Sequence, residues 1–333
     1  MKNKSIHFEF NKLTNEKIQN LTSKRDGESK IGEKLCFNLE SKDCKYVIIG
    51  ISEDIGPQAN MGLKGSSNAF EAFLSRFLNT QSNRFLNGDE IFIAGEIKQI
   101  EGFQNIKEAK LRIELLDEYV KSIVNPIIKL GKTLIVIGGG HNNAYPLINA
   151  SFNKSNKAID VINLDPHADC RALEGRHSGN PFSYAKKNGF LNQYAVFGLH
   201  QQYNSESIYS YLDENKFNYT FFEDYLDQKR NLKNDVLDFI KSKKTGTALG
   251  IELDLDSIEM MPSSAFTPNG FSISEARIYL RELAKQKDIL YIHLPEGSPQ
   301  SEIESKIVGK TLSYLVIDFI KENLNFNNQS INI

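Results

Sequence analysis

The chain has 333 residues, 40% of them hydrophobic, with 40 Lys and Arg against 42 Asp and Glu, for a formal net charge of −2. The basic residues are scattered along the chain, which argues against a nucleic-acid partner and against a polybasic membrane anchor and leaves a small diffusible molecule as the natural partner. This length buries a large core, as one big α/β domain or two smaller ones, and no stretch approaches the roughly 18 continuous apolar residues of a membrane span.

Residues 1–44 have mixed charge and weak periodicity, and are read as an N-terminal extension packed on an edge of the domain. The opening Met1-Lys2-Asn3-Lys4-Ser5-Ile6-His7 lacks the apolar centre of a secretion signal. Apolar, β-branched runs then predict strands near Tyr46–Ile51, Ile91–Ala94, Thr133–Ile137, Asp160–Leu164, Tyr194–Phe197, Tyr219–Phe222, Thr247–Leu253 and Ile289–Leu294, about eight in all. Helical spacing fills many of the gaps. Leu116, Val120, Ile123 and Ile127 form one such stripe, in a segment that Pro126 is expected to bend, and Ile303, Ile307, Val308, Leu312, Leu315, Phe319 and Ile320 predict a long last helix. Alternating strands and helices predict an α/β fold, a three-layer α/β/α sandwich around a mostly parallel sheet. The domain is expected over 45–325, followed at 326–333 by the end of an Asn-rich tail that either is disordered or adds to a subunit contact.

Cys36, Cys44 and Cys170 are odd in number and have no metal-type spacing, which favours a reducing compartment and a soluble, cytoplasmic protein. Cys170 is either a reactive thiol or a small side chain packed behind its neighbours.

Chemistry concentrates in three distant segments: Gly138-Gly139-Gly140-His141-Asn142, Asp165-Pro166-His167-Ala168-Asp169 and Asp254-Leu255-Asp256. In an extended strand Asp165, His167 and Asp169 share one face, as do Asp254 and Asp256 with Leu253 and Leu255 behind them. Pro166 cannot donate to a ladder, so it should mark the carboxyl end of a strand, where open α/β sheets build their sites. Taken singly, each segment has a plainer reading. A Gly-rich turn is often a phosphate loop, but G-x-G-x-x-G spacing and Gly-Lys-Ser/Thr are both missing here. Asp-x-Asp pairs usually lie on solvated loops, yet this one closes the apolar run Thr247-Ala248-Leu249-Gly250-Ile251. Four carboxylates gathered without a cation would repel one another. Together, His141, Asp165, His167, Asp169, Asp254 and Asp256 form the oxygen-rich, imidazole-containing set that a pair of divalent cations needs.

These motifs, in this order, resemble those of the ureohydrolases: arginase, agmatinase, guanidinobutyrase and formimidoylglutamase. The likeness extends to Asn60-Met61-Gly62-Leu63-Lys64-Gly65, Ser178-Gly179-Asn180-Pro181-Phe182 and Thr267-Pro268-Asn269-Gly270, and covers roughly residues 45–325. It implies an eight-stranded three-layer sandwich with two Mn2+ ions. Asp165 and Asp254 would bridge the ions, His141 and Asp169 would complete one shell, and His167 and Asp256 the other. The implied reaction is attack of a metal-activated water on a formimino or guanidino carbon. Trimers or hexamers are common in such enzymes, so a homo-oligomer is expected, with no subunit count fixed here.

Among these enzymes, Gly-Gly-Gly-His, Arg171 and Ser178-Gly179-Asn180-Pro181-Phe182 are most similar to formimidoylglutamase, although Ser178-Gly179-Asn180 is also similar to arginase. Arg171, Ser178 and Asn180 are the expected substrate-binding residues, Arg171 because a guanidinium holds a carboxylate bidentately. The chain departs from the usual pattern at Pro166, at Glu252 where Ser is usual, and at Glu259-Met260. Glu252 is expected to be buried and structural, or to support the site from behind. Asp169, His177, Glu296 and His293 are the candidate catalytic groups: His177 as a proton carrier or else a packed histidine, and either His293 or Glu296 at the position of arginase's guanidinium-gripping glutamate. A non-catalytic metal-binding relative is the alternative from another class. A single-zinc deacetylase fits the ligand set poorly.

Overall fold

The computed structural model describes residues 5–331. Among them are strands β1 (Phe8–Lys12), β2 (Tyr46–Ser52), β3 (Ile91–Gln99), β4 (Thr133–Ile137), β5 (Ile159–Leu164), β6 (Leu191–Leu199), β7 (Asn218–Phe221), β8 (Leu249–Leu253) and β9 (Ile289–Leu294). They form one sheet in the order β1-β3-β2-β4-β9-β8-β5-β6-β7. All neighbours are parallel except β1 and β3, which run antiparallel. The expected eight strands thus become nine. The extra one lies in the N-terminal extension, where five residues with one buried face, Phe8 and Phe10, give too short an alternation to stand out in the sequence.

The inner strands are apolar because both their faces are covered: every residue of β2, β5 and β8 is buried. Side chains of period two divide between two cores. On one face Ile48, Ile135, Ile251 and Ile292 pack against the helices Ala69–Phe77, Ile273–Leu283 and Glu302–Ile331. On the other, Val47, Val136, Val161 and Tyr291 meet the helices Ile106–Lys129 and Ala144–Ser155. Each buried aliphatic side chain contributes about 1.5–3 kcal/mol, so this double core makes the sheet a rigid platform.

Pro126 lies in the last turn of the helix Ile106–Lys129, so the one backbone hydrogen bond it removes is close to the helix end. The helix Glu302–Ile331 corrects the reading of 326–333 as a tail. Val308, Leu312, Leu315, Phe319, Ile320 and Leu324 anchor it in the core, and it continues through 326–331; residues 332–333 lie outside the described residues. For function, the decisive feature is that β4, β9, β8 and β5 are consecutive and parallel. Their carboxyl ends therefore open side by side on one rim.

Candidate metal centre

The chain leaves β4 through Gly138 and Gly139, at φ of 80° and 70°, a left-handed path that a side chain would resist. A Cβ on Gly139 would also stand 2.7 Å from the Asn143 amide nitrogen. The fully buried Glu53 carboxylate gathers this loop, accepting from Gly140 N at 2.9 Å, Asn143 Nδ2 at 2.7 Å and Ile55 N at 2.6 Å. Glu296 accepts from His141 N at 2.6 Å. These anchors deliver His141 to the rim with its ring completely buried.

The aspartates arrive by turns, which corrects the expectation of an alternating strand at both places. β5 ends at Leu164, and beyond it Asp165 Oδ1 accepts His167 N at 2.7 Å while Asn204 Oδ1 accepts Ala168 N at 2.9 Å. Asp169 then adopts a left-handed backbone, φ 49°, which turns the chain back. β8 likewise ends at Leu253; Asp254 caps a single turn, Leu255–Ser257, with its Oδ1 accepting Asp256 N at 2.7 Å. In each case a carboxylate satisfies backbone N–H groups that have left the ladder. Leu253 and Leu255 are buried beneath, as expected.

The result is a tight cluster. His141 Nδ1 lies 2.9 Å from Asp169 Oδ2, 2.9 Å from Asp254 Oδ2 and 3.1 Å from Asp165 Oδ2. The donor atoms of these four residues all lie within 4.8 Å of one another. Beside it, His167 Nδ1 stands 3.5 Å from Asp165 Oδ1 and 3.9 Å from Asp256 Oδ2. Asp165 thus faces His141 with one oxygen and His167 with the other. The electrostatics are those of crowded carboxylates. Burial, then the charges of Asp256 and Asp165, drives Asp254 well above the usual carboxylate range. Burial and Asp165 raise Asp169, and burial raises Asp256. Asp165 goes the other way: burial pushes it up, but the His141 and His167 imidazoles outweigh burial and hold it at about 2.

The residues fit a divalent cation. Three carboxylate oxygens converge on the buried His141 Nδ1, yet Nδ1 closes no hydrogen bond with any of them. One proton would serve one acceptor at a time, whereas a hard or borderline cation suits one nitrogen and several oxygens together.

A cavity of about 430 Å³ opens over the cluster, lined among others by His167, Asp169, Asp254, Asp256 and Glu296 on its floor and by Asn60, Arg171, Ser178 and Tyr203 on its walls. Arg171 Nη1 donates to Asn60 Oδ1 at 3.3 Å, and Asn60 Nδ2 donates to Ser178 Oγ at 3.3 Å. Glu296 has a left-handed backbone, φ 66°, fixed by its N–H to Gly139 O and its carbonyl from Ser264 N. Burial, then the charge of Asp256, pushes its carboxyl up to about 8.

Three expected site residues lie elsewhere. Asn180 does not line the cavity, because its amide is occupied by Arg176, the His177 N–H and the Ala172 and Gly175 carbonyls. His177 also stands apart: it does not line the cavity, its Nδ1 accepts Gly179 N at 3.1 Å and its Nε2 meets Glu174 Oε1 at 3.1 Å, so both nitrogens are engaged by neighbours. His293 is buried in the sheet against Glu252, which leaves Glu296, not His293, facing the cavity. Cys170 is buried, and burial pushes its thiol well up, the properties of a packed side chain and not of a reactive one.

Sequence reasoning assigned no role to Asn60, Glu53 or Tyr203. Asn60 stands within a motif that was legible, Asn60 to Gly65. Tyr203, stacked on His167 with ring centroids 5.5 Å apart, had no local signal.

Comparison with known proteins agrees with this geometry. Residues 44–320 match the Arginase family. The chain belongs to the arginase family. Relatives of this arginase-family chain include the formimidoylglutamase of Staphylococcus haemolyticus, 24% identical over 282 residues that cover 82% of this chain and 85% of that protein. Its fold matches that of Trypanosoma cruzi formiminoglutamase with Mn2+, at a TM-score of 0.72 and 22% identity, over 88% of this chain and 98% of that one. Formimidoylglutamase from Bacillus subtilis superposes with a TM-score of 0.73 at 16% identity, over 90% and 93% of the two chains.

Proposed function

We propose that this arginase-family chain is a manganese-dependent hydrolase of linear amidines, and that it cleaves N-formimino-L-glutamate to L-glutamate and formamide. The observation that carries this reading is the placement of the buried Asp165, with one oxygen toward His141 and the other toward His167, in a cluster whose His167, Asp169, Asp254 and Asp256 line a cavity that Arg171 also lines. His141 and Asp169 would hold one ion, His167 and Asp256 the other, and Asp165 and Asp254 both. Two cations bound there supply a nucleophile at neutral pH by lowering the pKa of water.

The remaining work falls to the chain's own groups. Glu296, on the cavity floor, accepts N–H groups of the formimino nitrogen and orients the carbon. Arg171, steadied by Asn60, binds a substrate carboxylate bidentately. Asp169, which lines the cavity, is the carboxylate placed to pass a proton to the departing glutamate amine. Support comes from relatives named formimidoylglutamase and from a solved formiminoglutamase with Mn2+ of the same fold. The reading places the chain in histidine metabolism. No helix of the described residues is long and apolar enough to cross a membrane. That fact and three unpaired cysteines support a cytoplasmic enzyme, and assembly as a homo-oligomer belongs to the same proposal.

A second reading is favoured by one observation. A carboxylate such as Glu296 on the cavity floor is also what a guanidinium needs, so release of urea from arginine, agmatine or guanidinobutyrate competes with formamide release. The test offers Mn2+-loaded protein each of these four substrates while formamide, urea and ammonia are measured. Formamide from formiminoglutamate alone is the expected result. Turnover of none, with two ions bound, overturns the hydrolase reading in favour of a binding protein.

A further inference from the structure

The interior of the sheet holds two ionisable side chains that the cavity does not use. Glu252 on β8 and His293 on β9 are paired across neighbouring strands and are fully buried, with Glu252 Oε2 2.7 Å from His293 Nδ1. The other carboxylate oxygen accepts the Tyr291 hydroxyl at 2.8 Å. Tyr291 reaches it across Gly250, where a Cβ would stand 2.5 Å from the tyrosine ring. The second nitrogen of His293 faces the Gly138 carbonyl at 3.4 Å. Glu252 Oε2 also stands 3.5 Å from His141 Nε2, a buried nitrogen with no hydrogen-bond partner.

Two arrangements are compatible with such a group. The donor atoms of His141, Glu252 and His293 lie close enough to share an ion, but two atoms on one zinc stand on the order of 3.3 Å apart. A 2.7 Å contact is instead the distance of a charge-assisted hydrogen bond. Both Glu252 oxygens already have partners, and Glu252 does not line the cavity over the cluster. A buried carboxylate is costly to desolvate unless it is paired and hydrogen-bonded. Here it is held from both sides and set behind the one histidine whose far nitrogen faces three aspartates.

We propose that Glu252, held by Tyr291 and His293, is a positioning residue for His141. Its charge keeps the His141 proton on Nε2 and turns the Nδ1 lone pair toward Asp165, Asp169 and Asp254. The inference rests on the reading of those residues as a metal centre. A carboxylate behind a ligating imidazole both fixes the tautomer and raises ligand basicity.

The test is Mn2+ titration of the wild-type chain, Glu252→Gln and Tyr291→Phe, followed by the electron paramagnetic resonance of free Mn2+, with thermal unfolding in chelator as the check on folding. Glu252→Gln is expected to bind Mn2+ about 10–100-fold more weakly, and Tyr291→Phe several-fold more weakly. Excess Mn2+ should restore kcat in both with KM unchanged, a recovery that a collapsed site would not show. A folded Glu252→Gln with an affinity within threefold of wild type overturns the proposal, as does failure of excess Mn2+ to restore kcat. If Glu252→Gln does not fold, unchanged affinity in Tyr291→Phe overturns it. A wild-type chain that binds no Mn2+ is a separate result, which removes the metal centre itself and this inference with it.

Discussion

Glu296 Oε1 accepts the backbone N–H of His141 at 2.6 Å, so the carboxylate on the cavity floor and the loop that carries the His141 imidazole are one mechanical unit. Replacing the carboxyl group should therefore disturb substrate orientation. Glu296→Gln keeps the side-chain size and is expected to lower kcat/KM by two orders of magnitude or more, about 2.7 kcal/mol of transition-state stabilisation, with little change in thermal unfolding. Steady-state kinetics beside a melting curve checks it; retained kcat/KM would remove Glu296 from the reaction.

Asp165 and Asp254 each face the His141 Nδ1 within about 3 Å. Asp254→Asn removes a charge that two cations would share. Bound Mn2+ should drop from two per chain to one or none, and the rate should fall with it. Metal analysis after gel filtration decides this, and two retained ions would exclude the bridging role.

Arg171 lies on the cavity wall, within reach of Asn60 and exposed toward the opening. If it holds a substrate carboxylate, Arg171→Ala should raise KM for formiminoglutamate by about 10–100-fold, in line with loss of a charge-assisted pair of about 1.5–3 kcal/mol. It should leave KM for agmatine, which has no carboxylate, unchanged. Equal effects on both substrates would assign Arg171 a general structural role.

His177 is buried neutral. Burial lowers its pKa to about 4, against the pull of Glu174, and the Gly179 N–H donates to its Nδ1, so a proton there would meet another donor. The unfolded chain takes up this proton near 6.5 and the folded chain only near 4. As pH falls from above 6.5 toward 4 the unfolded state gains protons that the folded state does not, and stability is lost across that window. The loss should amount to about 1–3 kcal/mol. Urea unfolding in chelator at pH 7 and pH 4.5 should show a smaller drop for His177→Gln than for wild type. An identical drop would exclude His177 as a source of acid sensitivity.

Arg176 and Asp117 form a fully buried pair, with Arg176 Nε 2.9 Å from Asp117 Oδ2 and the guanidinium carbon 4.7 Å from the Tyr145 ring centre. Arg176 also donates to the Asn142 carbonyl at 2.9 Å and to Asn180 Oδ1 at 2.9 Å, which ties the loop carrying His141 to the segment after the second motif. Asp117→Ala leaves that guanidinium uncompensated and should cost about 3–5 kcal/mol, read as a shift in urea midpoint. A cost under about 1 kcal/mol would mean the pair behaves as if solvated.

The parts of the molecule that could be read along the chain are those with local causes. Continuous apolar runs such as Tyr46–Ile51 become strands because a sheet covered on both faces needs no polar alternation. β1 leaves little local signal because it is short and gains its place by pairing with β3 at an edge. Asp165 to Asp169 was legible as a ligand set but not in its shape. Strand periodicity cannot reveal that the backbone at Asp169 turns left-handed.

The sequence by itself determined the inventory: six donor side chains, the apolar strands behind them and the proline that ends one strand. Tertiary structure decided which near-equivalent residues face the cavity. Glu296 turns in and His293 turns away because β9 ends between them at Leu294, while Asn180 and His177 are occupied by hydrogen bonds to neighbours that the linear order does not reveal. The physical reason is that a residue's chemical type is local, whereas its orientation depends on which strand lies beside its own and which donors and acceptors nearby are already paired. In this chain that neighbour order is β4-β9-β8-β5, set by packing across elements distant in sequence.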